Sequence, residues 1–295
     1  MLDFKSLLET QSSTKFSPSS EKYIDGIDGA RIAYREYAPV DNPKAILLFY
    51  HTCSFHSATA NYLLATLLAQ QYGILTITPD IRGHGMSGGT RGGCSNAYQV
   101  WDDITIFLDM MEKRFGNIPM FLGGHGTGAG VVLNYSYHFK IEQRLRGLIF
   151  IAPDFGFRVR ILKPTTSPFA VISGQFFALN EMTGGFIFGN STAIYFTIPK
   201  DIQESDPRIV SSITVNMANA LVPINPQHQL KRLTKIPIGF WISQDDELLD
   251  HSLVADFMNS FSNHTYPDYL LSGTHFTVLS VAHLSVGPWI LKSLE

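Results

Sequence analysis

Five short, continuously apolar runs set at intervals along the chain constrain its fold more than any other feature. They are 45–51 (AILLFYH), 74–80 (ILTITPD), 119–123 (PMFLG), 145–152 (LRGLIFIA) and 236–243 (IPIGFWIS). None alternates apolar with polar residues, so each reads as a strand covered on both faces. Between them, 58–72, 96–115 and 129–139 carry helical periodicity. Strand and helix in alternation predict an α/β fold with a mostly parallel central sheet and helices on both faces. Segments 22–27 and 30–37 read as an opening hairpin with Asp28-Gly29 at its turn. A last strand is expected at 268–271.

The rhythm breaks over 154–234. This stretch lacks the buried-strand signature and is rich in phenylalanine, including Phe169, Phe176, Phe177, Phe186, Phe188 and Phe196. An insertion of that length points to a functional, mainly helical cap, dividing the core into 21–153 and 235–295. Residues 1–20 form an N-terminal extension whose first ten are expected to make a short amphipathic helix packed on the core.

Of the 295 residues 45% are hydrophobic and 16% charged, enough apolar material for a large core. The net charge of -3, without a basic stripe, argues against nucleic acid as a partner. Two cysteines, Cys53 and Cys94, make neither a disulfide framework nor a zinc site. With no basic start leading into an apolar run, and no stretch of about 18 apolar residues, the expected setting is reducing and cytoplasmic.

The segment Leu122-Gly123-Gly124-His125-Gly126-Thr127-Gly128-Ala129-Gly130 follows a buried run and opens a helix. That is the context of the nucleophile elbow G-x-S-x-G, with residue 126 at the serine position and Gly124 and Gly128 as the flanking glycines. A nucleotide phosphate loop is excluded because no Gly-Lys-Ser/Thr follows. Gly124-x-Gly126-x-x-Ala129 loosely fits a dinucleotide fingerprint, but two buried strands already precede it, whereas the fingerprint belongs to the first strand–helix turn.

Triad partners should follow in the order nucleophile, acid, histidine. Ser243-Gln244-Asp245-Asp246 lies just past the fifth run, and Asp246 is the expected acid, with Asp245 its neighbour and rival. Ser272-Gly273-Thr274-His275 follows the last strand, making His275 the expected general base. Two backbone N–H groups should receive the oxyanion: that of Thr127, and that of Cys53 in the loop after the first run. Cys53 on the oxyanion side and Thr127 beyond the elbow are both poorly placed as nucleophiles.

Together these segments resemble the α/β-hydrolase serine enzymes related to monoacylglycerol lipase and lysophospholipase, the serine aminopeptidase S33-like group. Asp80-Ile81-Arg82-Gly83-His84-Gly85-Met86-Ser87 is similar to that group's D-x-R-G-H-G-x-S loop, and Gly124-His125-Gly126-Thr127-Gly128 to its G-H-S-x-G. Ser205-Asp206-Pro207 in the cap also matches. The resemblance implies an esterase for small lipophilic esters, working through an acyl-enzyme with no cofactor and no metal. It also implies a structural role for Arg82 and His84. Acyl pockets are lined by apolar and aromatic side chains, so Phe55, Phe169, Phe176 and Phe177 are expected to contact substrate, and the apolar cap leaves room for transient contact with a membrane surface. Three departures stand out. Thr52 replaces a usual glycine, the tail after His275 lacks an expected acidic residue, and Gly126 replaces the serine. Glycine cannot be acylated. The intact Asp246 and His275 favour a serine enzyme changed at this one position; a natural binding or sensing protein, or an acyltransferase, are the alternatives.

Overall fold

A computed structural model describes residues 2–165, 168–260 and 270–295. Helix α1 (Phe4–Ser13) is capped by the Asp3 carboxylate, which accepts from the Ser6 amide. It packs on the core through buried Phe4 and Leu7, as its amphipathic pattern demands. The hairpin β1 (Lys22–Asp25) and β2 (Arg31–Tyr37) turns at Gly26–Gly29, where the Gly29 amide donates to the Gly26 carbonyl.

The core then runs β3 (Ala45–Tyr50), α2 (Asn61–Tyr72), β4 (Ile74–Pro79), α3 (Ala97–Phe115), β5 (Met120–His125), α4 (Thr127–His138) and β6 (Leu145–Ile151). The insertion contributes β7 (Ala170–Ile172), α5 (Gly174–Met182), β8 (Thr192–Phe196), α6 (Lys200–Ser205), β9 (Ser212–Thr214), α7 (Val215–Leu221) and α8 (Pro226–Arg232). The chain returns through β10 (Ile238–Ser243), α9 (His251–Asn259), β11 (Leu270–Leu271), α10 (Val278–Val281) and α11 (His283–Lys292). Of the strand expected at 268–271, Asp268 and Tyr269 lie outside the described residues.

The eight-stranded sheet has the order β1-β2-β4-β3-β5-β6-β10-β11. The β1–β2 and β2–β4 pairs are antiparallel; all others are parallel. Every residue of β3, β4, β5 and β10 is buried, which is why their sequences do not alternate. Strand order reverses at β3, which has β4 on one side and β5 on the other. A crevice opens at the carboxyl ends of the strands at such a switch point, the place where ligands bind in open α/β sheets.

The insertion carries structure that the sequence does not announce. Strands β7, β8 and β9 form a small antiparallel sheet. They are three to five residues long and partly exposed, so their apolar stretches are too brief to stand out in a segment already rich in phenylalanine and isoleucine. The last part of the insertion packs as core. Buried α7 lies on α3 and α4, where the Ala220 carbonyl accepts from Trp101 Nε1 (3.1 Å) and Asn134 Nδ2 (3.0 Å). Helix α8 is tied to α4 by Gln229 Nε2 donating to Asn134 Oδ1 (2.9 Å).

Candidate active site

At the elbow, β5 ends at His125 and α4 begins at Thr127, so Gly126 alone makes the reversal. Its backbone is left-handed, φ 56° and ψ -126°. Its amide donates to the Ile151 carbonyl and its carbonyl accepts from Asp154, at 3.1 and 3.0 Å. The flanking glycines are required by close approach. A Cβ on Gly124 would collide with the backbone of Gly128, and one on Gly128 would lie 2.6 Å from the carbonyl oxygens of Tyr50 and His51.

Asp246 follows β10 and is fully buried. Its Oδ1 accepts from the Leu248 and Leu249 amides, both at 2.9 Å, while Oδ2 accepts from His275 Nδ1 at 2.8 Å. Asp245 is exposed and takes no part. Burial opposes a charged imidazole, but the Asp246 carboxylate and its hydrogen bond outweigh it and hold the His275 pKa above the ordinary value. His275 Nε2 faces the elbow, 3.1 Å from where a Cβ on Gly126 would stand. Two further bonds fix the histidine loop: His125 Nε2 donates to the His275 carbonyl (2.7 Å), and the His275 amide donates to Glu247 Oε2 (2.7 Å). Glu247 Oε1 also accepts from the Asp3 amide, joining the first residues to the site.

The two amides expected to receive an oxyanion are each met by a threonine hydroxyl. The Cys53 amide donates to Thr127 Oγ1 at 2.6 Å, and the Thr127 amide to Thr52 Oγ1 at 3.4 Å. Burial pushes the Cys53 thiol pKa far up, which leaves it a poor nucleophile. The loop that carries Cys53 is anchored on all sides. Because the Ile81 amide donates to His51 Nε2 (2.8 Å), Nδ1 bears the ring proton and donates to the Thr52 carbonyl (2.8 Å). Ser54 exchanges bonds with Val210 of the cap: its hydroxyl donates at 2.6 Å and its carbonyl accepts at 2.7 Å. The Ser57 amide donates to Asp80 Oδ1 (2.8 Å). His56 Nε2 meets Asp206 Oδ2 at 2.8 Å, which gives the Ser205-Asp206-Pro207 match its physical content as a link between the segment inserted after β6 and the loop after β3. Arg82 donates to Asp103 through Nε (3.0 Å) and Nη2 (2.7 Å), a buried structural pair.

Beside the elbow lies a cavity of about 140 Å³. Thr52, Cys53, Thr127 and His275 form its polar end. Phe55 and Phe169, stacked with ring centroids 6.2 Å apart, line it as expected. Phe176 and Phe177 do not. Both sit on α5, where Phe176 packs on Phe188 and Phe177 on Phe157. Phe157 and Phe196 line the cavity in their stead, and so does Leu2. Phenylalanine content marked the cap as apolar, but with a helix and a strand in play it could not say which rings turn inward. Leu2 reaches the cavity only through the packing of α1, which no motif signals.

This strand order, a glycine-flanked elbow after β5 and a carboxylate–imidazole pair after β10 and β11 define an α/β hydrolase. The profile of the family described as serine aminopeptidase, S33 matches residues 41–270, and the chain belongs to that family of hydrolases. Among its relatives, the human monoglyceride lipase is 23% identical over 252 residues, covering 81% of this chain and 79% of the lipase. Phospholipase YtpA of Bacillus subtilis is 21% identical over 235 residues, covering 76% of this chain and 84% of the phospholipase. Among solved structures, a soluble variant of monoglyceride lipase from Saccharomyces cerevisiae in complex with a substrate analog superposes with a TM-score of 0.68. It is 18% identical and covers 95% of this chain and 96% of that one.

Proposed function

We propose that this chain binds small lipophilic acyl esters on a lipase frame and does not cleave them, because residue 126 brings no hydroxyl to His275. The observation that carries this reading is an Asp246–His275 pair assembled, buried and directed at an elbow residue that has no side chain. On the same frame a serine at 126 would give its proton to His275 Nε2 as its oxygen attacked the ester carbonyl. His275 would then return that proton to the departing alcohol, leaving an acyl-enzyme for water to resolve. Without that oxygen the first bond cannot form.

The aromatic cavity supplies the apolar end of such a ligand, and the amides of Cys53 and Thr127 become its carbonyl partners once the Thr127 and Thr52 hydroxyls turn aside. The lining is mostly apolar and aromatic, so acyl chains are the expected ligands. The cap also exposes Met182 and Phe186, which supports transient contact with a lipid surface. The known names of the relatives, lipases of monoglycerides and a phospholipase, agree with a lipid ester as ligand.

The test is calorimetric. Glycerol monoethers of graded chain length, which cannot be hydrolysed, should bind the unaltered protein, with affinity rising with chain length until the apolar lining is covered. Phe169→Asp should remove that binding. Steady turnover of p-nitrophenyl esters by the unaltered protein at a serine esterase's rate, or no binding at any chain length, would contradict the proposal.

A further inference from the structure

The place of the missing side chain is not empty space. A Cβ built on Gly126 would lie 2.7 Å from Thr52 Cβ and closer still to Thr52 Oγ1. Rotation about the Thr52 Cα–Cβ bond swings the hydroxyl aside but leaves Cβ where it is. Relief of that contact therefore requires movement of the backbone at Gly126, which is held by Ile151 and Asp154, or at Thr52. That backbone is held: its carbonyl by His51 Nδ1, the next amide by Thr127 Oγ1, and residue 54 by two bonds to Val210. The same peptide stretch carries the Cys53 amide, one of the two candidate oxyanion donors.

We infer that Thr52 and Gly126 are a matched pair, in which the threonine occupies the volume a nucleophile's side chain would need, so that hydrolysis is opposed twice and returns in full only when both residues are exchanged. The inference rests on the elbow reading of the preceding subsection and adds a residue to it. Thr52 is not a nucleophile in this arrangement, since its hydroxyl sits against the Thr127 amide, where the oxyanion of a reacting ester would lie. The glycine belongs to the site as built, with its neighbour fitted to it.

The experiment compares the unaltered protein with Gly126→Ser, Thr52→Gly and Thr52→Gly/Gly126→Ser. Readouts are labelling by a fluorophosphonate probe, hydrolysis of p-nitrophenyl butyrate, and melting temperature. In Gly126→Ser the displaced loop misplaces one oxyanion donor, a loss on the order of 100-fold in rate. The double variant should label and turn over faster than Gly126→Ser by that factor, and the fall in melting temperature caused by the serine should shrink when Thr52 is glycine. Thr52→Ala/Gly126→Ser keeps the offending Cβ and should remain slow, which separates carbon from hydroxyl. Equal rates and equal melting in Gly126→Ser and the double variant would overturn the pairing. Hydrolysis by the unaltered protein that Thr52→Val abolishes would overturn it too, by making Thr52 the nucleophile. If no serine variant labels, the elbow reading fails, and the melting cycle still decides the pairing: a reduced fall supports it, an equal fall rejects it.

Discussion

The Asp246–His275 pair puts opposed demands on two buried side chains, and pH separates them. Burial presses the Asp246 pKa upward, yet His275 and the Leu249 and Leu248 amides hold it below the ordinary 3.8. His275 is held above the ordinary 6.5. Stabilisation from the aspartate is complete above 3.8 and is lost as pH falls through its lower folded value. That from the histidine is complete below 6.5 and is lost as pH rises through its higher folded value. Asp246→Asn should therefore cost about 1.5–3 kcal/mol, with its melting temperature furthest below the unaltered protein's between about pH 4 and 6.5. The His275 ring, followed by NMR, should titrate lower in the variant. A stability gap that grows above pH 8 would contradict this account. Residue identities at the site were legible because chain order and loop position name them: 126 after a buried strand, 246 and 275 after later ones. Their fit to one another was not. Nothing in the sequence places Thr52 Cβ against the elbow, since that contact joins two loops 74 positions apart, the spacing seen between Cys53 and Thr127.

At the scale of elements, the site depends on how tightly α4 lies against β3 and β5. Gly128 permits that approach, with two backbone carbonyls where its side chain would be. Gly128→Ala should cost about 1–3 kcal/mol, read as a lower urea midpoint with an unchanged slope, because the obstacles are backbone and have no rotamer to yield. A variant as stable as the parent would mean that α4 can slide. Long buried runs gave β3, β4, β5, β6 and β10 within a residue or two, since in a strand covered on both faces the few polar positions, such as Thr76, Thr78 and the exposed Arg146, do not break the apolar run. The cap sheet escaped notice for the opposite reason. Strand β7 has only three residues, Ala170, Val171 and Ile172, one half-buried and two exposed, so its apolar run is too short to stand out in a segment already rich in apolar residues.

The whole molecule is braced beneath the site by the loop after β4. Arg82 is 2% exposed and Asp103 5%, with Asp28 completing the partners of the guanidinium. Arg82→Met would strand Asp103 in a buried place and should cost about 3–5 kcal/mol, measured by chemical denaturation. Loss of less than 1 kcal/mol would show that the sheet does not need the brace. The D-x-R-G-H-G-x-S motif pointed to this stretch, while its partner on α3 lies in a segment that sequence reads only as an amphipathic helix. One wall of the cavity has a practical bearing for anyone purifying the protein. Leu2 touches the ligand space, and the next amide shares the Glu247 carboxylate with His275. An affinity tag joined directly ahead of residue 2 would start at the rim of the pocket and should weaken ligand binding in the calorimetric assay. Helix α11 lines no part of the cavity, and the carboxyl end is where such a handle belongs.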